Sequence, residues 1–370
     1  MKDKNNLAFI DKVIICLNIV LSLALIISYF APVVDPKIFW EFAFFGLAYP
    51  FLLMANVIMA VYWFLRKKRY WLLPVVCIFC GWRVLSNTIG FHASSGDGAP
   101  ADSAIIRVMT YNVHNFKRYG AANDTSTKHE ILGIINHQQP DIIGFQEFYS
   151  RTHGQYDMRD SIAKILGHGY YYFEPVIYNS TEAIGIAIFS KLPIIDHGFI
   201  PLSDRKSENA CIYIDVKKGD RQFRFYSVHL QSIRFDPEDY KYINSITHQG
   251  KTDISSTRRL GSKLKTAFIK RSSQVMKIKG NAAQCPYPYL ITGDFNDTPA
   301  SYAVNYMEKG LKNAFREKGS GFGQTYNGSF PNFQIDYIMS SPQFDIKNYF
   351  VTEKKLSDHY PVRSDVSLVH

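Results

Sequence analysis

Polar side chains follow an apolar run near the C-terminal end of the chain. The stretch ITGDFNDTP (291–299) places Asp294 and Asn296 on the same side of an extended segment, because they are two positions apart. Gly293, just before them, permits a close approach to the backbone. A strand that ends in an Asx-rich turn gives the same pattern for purely local reasons. This stretch alone therefore leaves open whether it is a turn or a site.

Other strand-like segments carry polar residues in a similar way. A lone histidine in a strand is more often a satisfied core residue, and a lone aspartate before a strand is more often a turn residue or cap. The recurrence is hard to obtain by chance in a chain that is 46% hydrophobic, so we interpret these residues as parts of one site. They are Asn112 in MTYNV, Glu147 in IIGFQEF, His229 in YSVHLQS, Asp336 in FQIDYI, and Asp358 with His359 in LSDHYPV.

The residue types in this set indicate metal-assisted hydrolysis of a phosphoester. Mg²⁺ binds a few carboxylates together with waters, and it often takes further ligands from a substrate phosphate. Carboxylates, amides and imidazoles without a thiolate cluster suit Mg²⁺ or Mn²⁺ better than a structural zinc. Hydrolysis then requires an activated water and neutralisation of the charge that develops on phosphorus.

These motifs, in this order, resemble the endonuclease/exonuclease/phosphatase superfamily, here of a membrane-anchored bacterial type. The superfamily includes pancreatic deoxyribonuclease, abasic-site endonucleases, bacterial sphingomyelinases and inositol polyphosphate 5-phosphatases. The resemblance rests on TYNV, PDIIGFQE, GDFND, IDYI and SDHYPV, and it runs from about residue 105 to the C-terminus. It implies an α/β fold, a four-layered sandwich in which two facing mixed β-sheets are flanked by helices. The site would lie at one end of the two sheets.

The resemblance also implies a metal site and a residue that acts on water. Glu147 would be the main ligand of Mg²⁺ or Mn²⁺, with Asn112 and Asp358 on the metal or on its waters. Asp294 would orient or deprotonate the attacking water, and Asn296 would hold a phosphate oxygen. Which residue takes the proton from water stays open at this point.

The histidines of the set receive their roles from the same resemblance. His359 would be a general base or a charged donor to the phosphate, and Asp336 would fix its tautomer. His229 would be a second donor, with Glu182 as its partner. The VHL motif around His229 resembles the deoxyribonuclease, sphingomyelinase and phosphatase branches rather than the abasic-site enzymes. The segment EAIGIAIFSKLP departs from the commoner form, because Ile186 stands where that form has Asn.

The elements that position these residues alternate along the chain from about residue 105. β-Branched and aromatic runs predict strands, and apolar residues at helical spacing predict helices at 128–138 and 160–168 and a long basic helix at 256–278. KKGDRQ (217–222) predicts a hairpin turn. Many strands with few helices predict two packed sheets with helices outside them.

The segment between about residues 232 and 256 follows His229 directly. It is polar and aromatic, and we expect no helix in it because it lacks helical periodicity. It either overhangs the site and shapes the substrate pocket or is a surface excursion without consequence. The cations of the helix that follows this segment either form a solvated face or bind phosphates and lipid headgroups. His114, beside TYNV, is interpreted as a surface residue.

Three apolar segments precede this part, at 13–30, 42–65 and 70–82. The first two are long enough to cross a bilayer, and the third is shorter and is followed by Arg83. Basic residues before the first segment and at 66–69 predict that these ends face the cytoplasm, which places the rest of the chain outside. If the third segment does not cross, that part stays cytoplasmic. We predict a multi-pass anchor in the cytoplasmic (inner) membrane.

The predicted domains are a membrane anchor with three transmembrane helices at 1–91, a linker at 92–104 and a catalytic domain at 105–370. The net charge of +10 suits an anionic substrate or membrane, and a solvated surface explains it equally well. Cys211 and Cys285 could pair in an oxidising compartment, but their spacing does not resemble a zinc site.

The sequence thus predicts a Mg²⁺- or Mn²⁺-dependent hydrolase in which water attacks a phosphodiester or phosphomonoester in line. The expected partners are a nucleic-acid or phospholipid-headgroup substrate and the lipid bilayer. The alternative is a non-catalytic membrane protein whose phosphoesterase-like domain binds a ligand or partner. The presence of Glu147, Asp294 and His359 argues against that alternative, because a degenerate domain would often have lost one of them.

Overall fold

The computed structural model describes residues 9–93, 104–117, 125–203, 207–233, 235–250, 252–328 and 333–369. Its first part is helical: α1 (Phe9–Ser28), α2 (Glu41–Leu65), a 3-10 turn at Arg69–Trp71, α3 (Leu72–Cys80) and α4 (Trp82–Thr88). Helices α1 and α2 are long and apolar enough to cross a membrane. The third predicted segment is a helix pair, α3 and α4, bent by 70°, so the described residues contain two helices that could cross, or three if the pair counts as one. Most of the predicted linker, 94–103, lies outside the described residues.

Polar side chains join the apolar helices to one another. Ser22 Oγ donates to Asn56 Oδ1 at 3.0 Å, which ties α1 to α2. Asn18 Nδ2 donates to the carbonyl of Tyr70 at 3.1 Å, and Tyr29 donates to the carbonyl of Cys77 at 2.9 Å. In a membrane, burial of apolar surface contributes little to the association of helices. Hydrogen bonds of this kind and close packing then hold the helices together. The helices therefore form one small bundle.

Two mixed sheets make up most of the second part. The first sheet has the order β13-β15-β2-β3-β5-β4, with β14 also paired to β15. Its strands are β2 (Ile105–Asn112), β3 (Ile142–Arg151), β4 (Tyr170–Tyr178), β5 (Glu182–Ser190), β13 (Phe344–Ile346), β14 (Phe350–Val351) and β15 (Val362–Leu368).

The second sheet has the order β10-β12-β9-β8-β7-β6. Its strands are β6 (Ile194–Pro201), β7 (Ala210–Lys218), β8 (Arg221–His229), β9 (Tyr289–Asp294), β10 (Lys312–Asn313) and β12 (Asp336–Ser340). The predicted hairpin at 217–222 joins β7 to β8. A short ribbon of β1 (Gly90–Phe91) and β11 (Ser320–Gly321) links the helical part to the second part.

Apolar residues fill three layers around these sheets. One cluster, with Ile188 and Phe225 among its members, lies between the two sheets. A second cluster packs the outer face of the first sheet against α5 (Thr125–Gln138) and α6 (Met158–Ile165). A third packs the outer face of the second sheet against α8 (Ile254–Ala282) and α9 (Tyr302–Glu308), and α10 (Ala314–Lys318) follows β10. The prediction of two mixed sheets with helices outside them is confirmed.

Helix α7 (Pro237–Gln249) occupies the segment in which we expected no helix. That expectation is wrong because local end signals outweigh the weak periodicity. Asp236 and Asp239 form a capping box, Pro237 is the first helical residue, and Gly250 ends the helix with a left-handed backbone. The segment nevertheless lies beside the site, as shown below.

Candidate active site

Adjacent strand ends bring the predicted site residues together. Strands β2 and β3 run parallel, as do β8 and β9, so the carboxyl ends of each pair meet at one edge. His229 is therefore paired with Asp294, and Asp336 faces Asp294 from the antiparallel strand β12. Asn112, at the end of β2, reaches across from the other sheet and donates to Asp294 Oδ2 at 3.1 Å. The site thus lies where the two sheets meet.

Glu147 is turned toward this edge by an irregularity in β3. The pairing of β3 with β5 shifts register between Phe145 and Phe148, and Glu147 has a φ of +51°. A positive φ is uncommon for a residue other than glycine and marks a constrained backbone. The carboxylate accepts a hydrogen bond from Asn112 Nδ2 at 3.2 Å. Glu147 and Asp294 therefore share Asn112 as a donor.

Asp336 and His359 form a buried pair on the other side of Asp294. His359 Nδ1 lies 2.9 Å from Asp336 Oδ2, and His359 Nε2 lies 3.6 Å from Asp294 Oδ2. Only 4% of His359 and 1% of Asp336 is exposed. Because Nδ1 is held by Asp336, Nε2 is the nitrogen that is left to face the site.

His229 presents a nitrogen that lacks a hydrogen bond within the described residues. Nδ1 lies 3.1 Å from the carbonyl of Glu208, while Nε2 is buried and points between Asp294 Oδ2 at 3.6 Å and Glu147 Oε1 at 3.9 Å. Both distances exceed a normal hydrogen bond. A buried nitrogen without a partner is available for a hydrogen bond with an oxygen atom of a bound ligand.

The motif GDFN is organised around Asp294. Asn296 donates to Asp294 from its backbone N at 2.7 Å and from Nδ2 at 3.0 Å. Gly293 has a φ of +139°, and a Cβ there would lie 2.0 Å from the carbonyl oxygen of Val228. The close approach that Gly293 permits is therefore that of the neighbouring strand β8, and it keeps Asp294 beside His229.

His114 belongs to the site, although its sequence neighbourhood predicted a surface residue. Its Nδ1 lies 3.4 Å from Glu147 Oε2 and 3.7 Å from Asp358 Oδ1. The backbone from His114 to Phe116 has positive φ values, which turn the chain back over the end of β2. The one sequence signal was a histidine two positions after Asn112, and that signal alone is weak.

Glu182 is the predicted site residue that the structure does not bring to the others. It pairs in register with Arg151 at the far end of β3, so it lies well away from Glu147 along the strand. Its carboxylate accepts from the hydroxyl of Tyr149 at 2.6 Å and lies 3.4 Å from Arg151 Nε, instead of meeting His229. Ile186, on the same strand, is buried in the core between the sheets.

The charges of the site act strongly on one another. Burial would raise the pKa of Glu147, but the hydrogen bond with His114 and the charges of the site histidines outweigh it and lower the pKa to about 2. Burial lowers the pKa of His359, yet the charges of Asp336 and Asp294 raise it well above its ordinary value. Burial also raises the pKa of Asp294. The carboxylates of Asp336 and Asp294 therefore favour the charged form of His359, which donates hydrogen bonds.

The donor atoms near Glu147 suit a hard divalent cation. Glu147 and Asp358 both approach His114, so two carboxylates converge there, and Asn112 is adjacent. Oxygen-rich sites of this kind suit Mg²⁺ or Mn²⁺.

A second group could also hold a metal ion. It consists of Asp294, Asp336 and His359, whose ligand atoms lie within 4.8 Å of one another. In that group Asp336 already engages His359, so we favour Glu147 as the main ligand.

Most of the part of the chain that holds this site matches the model of a known protein family. Residues 109–359 match the model of the endonuclease/exonuclease/phosphatase family, which is more than half of the chain. The chain belongs to the endonuclease/exonuclease/phosphatase family. Its members are typically metal-dependent phosphoester hydrolases. Residues 11–88 match a domain of unknown function, DUF8431.

Several solved structures share the fold of this chain. An endonuclease/exonuclease/phosphatase from Beutenbergia cavernae DSM 12333 is 19% identical with a TM-score of 0.52, and the match covers 72% of each chain. The human Nocturnin catalytic domain, solved with a bound sulfate anion, is 19% identical with a TM-score of 0.52, over 73% of this chain and 96% of that one. A family protein from Bacteroides vulgatus is 17% identical with a TM-score of 0.51, over 71% and 99%. Comparison with curated protein sequences gives no match.

Proposed function

We propose that the chain is a Mg²⁺- or Mn²⁺-dependent phosphoesterase in which water attacks a phosphodiester or phosphomonoester in line. The observation that carries this proposal is the convergence of Glu147, Asp294, His229 and the Asp336–His359 pair at one edge of the two sheets. A non-catalytic domain has no need to keep two buried carboxylates and two imidazoles so close together.

Glu147, Asp358 and Asn112 would hold the divalent cation. When bound, the cation supplies Lewis-acid polarisation of the phosphoryl group and neutralises its charge. His114 would orient both carboxylates, since it lies within 3.4 Å of Glu147 and 3.7 Å of Asp358.

The remaining residues would act on water and on the phosphate. Asp294 would orient the attacking water, and we assign Asn296 to positioning Asp294, because it donates to that carboxylate twice. His359 would donate from Nε2 to a phosphate oxygen, with Asp336 fixing its tautomer. His229 would donate through its unpaired Nε2. Charge would thus be stabilised from both sides of the phosphorus.

The test uses the full chain in detergent micelles. Plasmid DNA, RNA, a chromogenic phosphodiester and phospholipid are assayed with Mg²⁺, with Mn²⁺ and with EDTA. Glu147→Gln should lower turnover by at least about 100-fold and weaken Mn²⁺ binding measured by titration calorimetry. Glu130→Gln is the matched control, because Glu130 lies on the surface of α5 and pairs with Lys354.

Metal-dependent turnover that Glu147→Gln abolishes and Glu130→Gln keeps supports the proposal. A folded chain that binds Mn²⁺ but turns over none of these substrates contradicts it and favours the non-catalytic alternative. Turnover that survives both EDTA and Glu147→Gln contradicts the assigned metal site.

A further inference from the structure

The cavity beside the site residues has two chemically different sets of lining residues. It encloses about 210 Å³. The polar set includes the buried pair Arg271–Asp297 and the site residues Glu147, Asp294, Asn296, Asp358 and His359. The apolar set, which we call the apolar wall, consists of Leu47, Ile233, Phe235, Leu264, Phe268 and Phe333. Four of these, Leu47, Ile233, Leu264 and Phe268, pack in one apolar cluster. A site for a small, fully polar phosphoester would have no use for such a wall.

Part of the apolar wall comes from outside the matched phosphoesterase region. Leu47 lies on α2, the second apolar helix. Helix α2 is held against the catalytic part by close packing, because the Phe44 and Phe268 rings lie 5.4 Å apart and a Cβ at Gly46 would lie 2.8 Å from the carbonyl oxygen of Ala300. The apolar helix is therefore a fixed part of the site cavity.

Apolar surface continues from the wall along α2. A second cavity, lined by Tyr49, Pro50 and Phe51, shares Thr298 and Phe333 with the first. Phe51 is half exposed, and its ring lies 6.2 Å from that of Phe333. Further along α2 the exposed side chains are apolar, including Met54, Val57, Ile58 and Val61. The path from His359 thus leads onto the outer face of a helix that is apolar enough to meet hydrocarbon.

Charge near the cavity fits a single phosphate headgroup better than a polynucleotide. Arg271 lines the cavity and is buried; its Nη1 lies 3.1 Å from Asp297 Oδ2, while its Nη2 has no hydrogen-bond partner among the described residues. Of the other cations on α8, Lys263 and Arg259 both contact Asp239 of α7, and Lys265 lies over the ring of Trp40. A nucleic-acid site depends on several cations that can neutralise successive phosphates.

We propose that the substrate is a membrane lipid phosphoester. Its phosphate lies at Glu147 and His359, and its hydrocarbon lies along the apolar wall and reaches the bilayer over Leu47 and Phe51 of α2. This inference rests on the proposed phosphoesterase activity and names its substrate class. Helix α2 then supplies part of the substrate site as well as an anchor.

The experiment compares two substrates on the full chain in detergent. One is phosphatidylcholine, phosphatidylglycerol or phosphatidic acid in mixed micelles, and the other is the water-soluble bis(p-nitrophenyl) phosphate. Leu47→Trp fills the apolar wall, whereas the control Leu23→Trp makes the same exchange at an exposed position on α1, outside the lining of both cavities. Leu47→Trp should lower kcat/KM for the lipid by roughly tenfold and leave the soluble ester within about twofold.

Phe333→Ala tests the wall from the catalytic part, in case Leu47→Trp does not fold. It should raise KM for the lipid and leave KM for the soluble ester unchanged, while Leu23→Trp changes neither.

Several results would overturn the inference. Turnover of the soluble ester, DNA or RNA with none of the three lipids overturns the lipid class and leaves the proposed function standing. Equal losses on lipid and soluble ester in Leu47→Trp and Phe333→Ala overturn the role of the apolar wall. If the wild-type chain turns over neither the lipids nor the soluble ester, DNA or RNA, that result counts against the proposed function itself.

Discussion

Asp336 and His359 show how single side chains carry the proposed chemistry. They are 23 residues apart in the chain and meet with 2.9 Å between His359 Nδ1 and Asp336 Oδ2. The carboxylate holds the proton on Nδ1 and raises the pKa of His359, against the effect of burial. The pair therefore directs Nε2 toward Asp294 and favours the charged imidazole.

Asp336→Asn should lower kcat by about 10²- to 10⁴-fold, because the amide no longer fixes the imidazole tautomer or stabilises its charge. The measurement is steady-state turnover of a chromogenic phosphodiester by the full chain with Mn²⁺. Asp345→Asn is the control, since Asp345 is half-exposed and pairs with Lys347, and the kcat of this variant should stay within about twofold of the wild type. If Asp336→Asn keeps most of its activity, His359 does not need this partner.

At the scale of elements, α2 packs closely on the catalytic part. A Cβ at Gly46 would lie 2.5 Å from the Cβ of Ala31 and 2.8 Å from the backbone oxygen of Ala300. Backbone atoms cannot move aside as a flexible side chain can, so the contact between α2 and the catalytic part tolerates only glycine at position 46. Ser272, on α8, adds a hydrogen bond to Asp35 in the loop before α2, at 2.6 Å.

Gly46→Val should lower the free energy of unfolding by about 1–3 kcal/mol by pushing α2 away from the catalytic part. Thermal unfolding of the full chain in detergent measures the change. Gly133→Ala on α5 is the matched control, because a Cβ there meets nothing within 4 Å, and we expect no loss of stability. If the Gly46→Val chain unfolds at the same temperature as the wild type, the contact between α2 and the catalytic part contributes little to stability.

At the scale of the whole molecule, the positions of the basic residues and of the catalytic part indicate the same orientation in the membrane. The basic residues at 66–69 follow the C-terminal end of α2. The catalytic part meets the opposite end, where Lys265 lies over the ring of Trp40 at 4.5 Å. With 25 residues, α2 is about 37 Å long, which is enough for a helix that crosses a bilayer. We therefore propose that the catalytic part lies on the extracytoplasmic side of the cytoplasmic membrane.

Protease added to intact spheroplasts should degrade the catalytic part, and inside-out vesicles should protect it. An epitope tag after residue 370 reports the catalytic part, and a tag before residue 1 is the control, expected to show the opposite pattern. Protection of the C-terminal tag in spheroplasts would place the catalytic part in the cytoplasm and would contradict the orientation.

The sequence by itself determined the features that short stretches encode. Apolar runs long enough to cross a bilayer are local properties, and so are the motifs around Asn112, Glu147, Asp294 and His359. Since the carboxyl ends of neighbouring parallel strands meet, motifs at such ends also predict that their polar residues converge. The family and the two-sheet fold could therefore be predicted before the structure.

Tertiary structure alone decided which partners these residues take. The register of β5 against β3 gives Glu182 to Tyr149 and Arg151, and the positive φ values after β2 fold His114 onto Glu147. Pairings of this kind depend on contacts between segments far apart in the chain, which local patterns do not encode.

The same reason applies to the apolar wall. Leu47 has the sequence neighbourhood of any membrane-helix residue, and only the packing of α2 on α8 places it beside the site. Cys211 and Cys285, whose pairing the sequence left open, are free thiols in the structure. Long-range packing thus decided both the shape of the cavity and what it can receive, because shape arises between elements rather than within them.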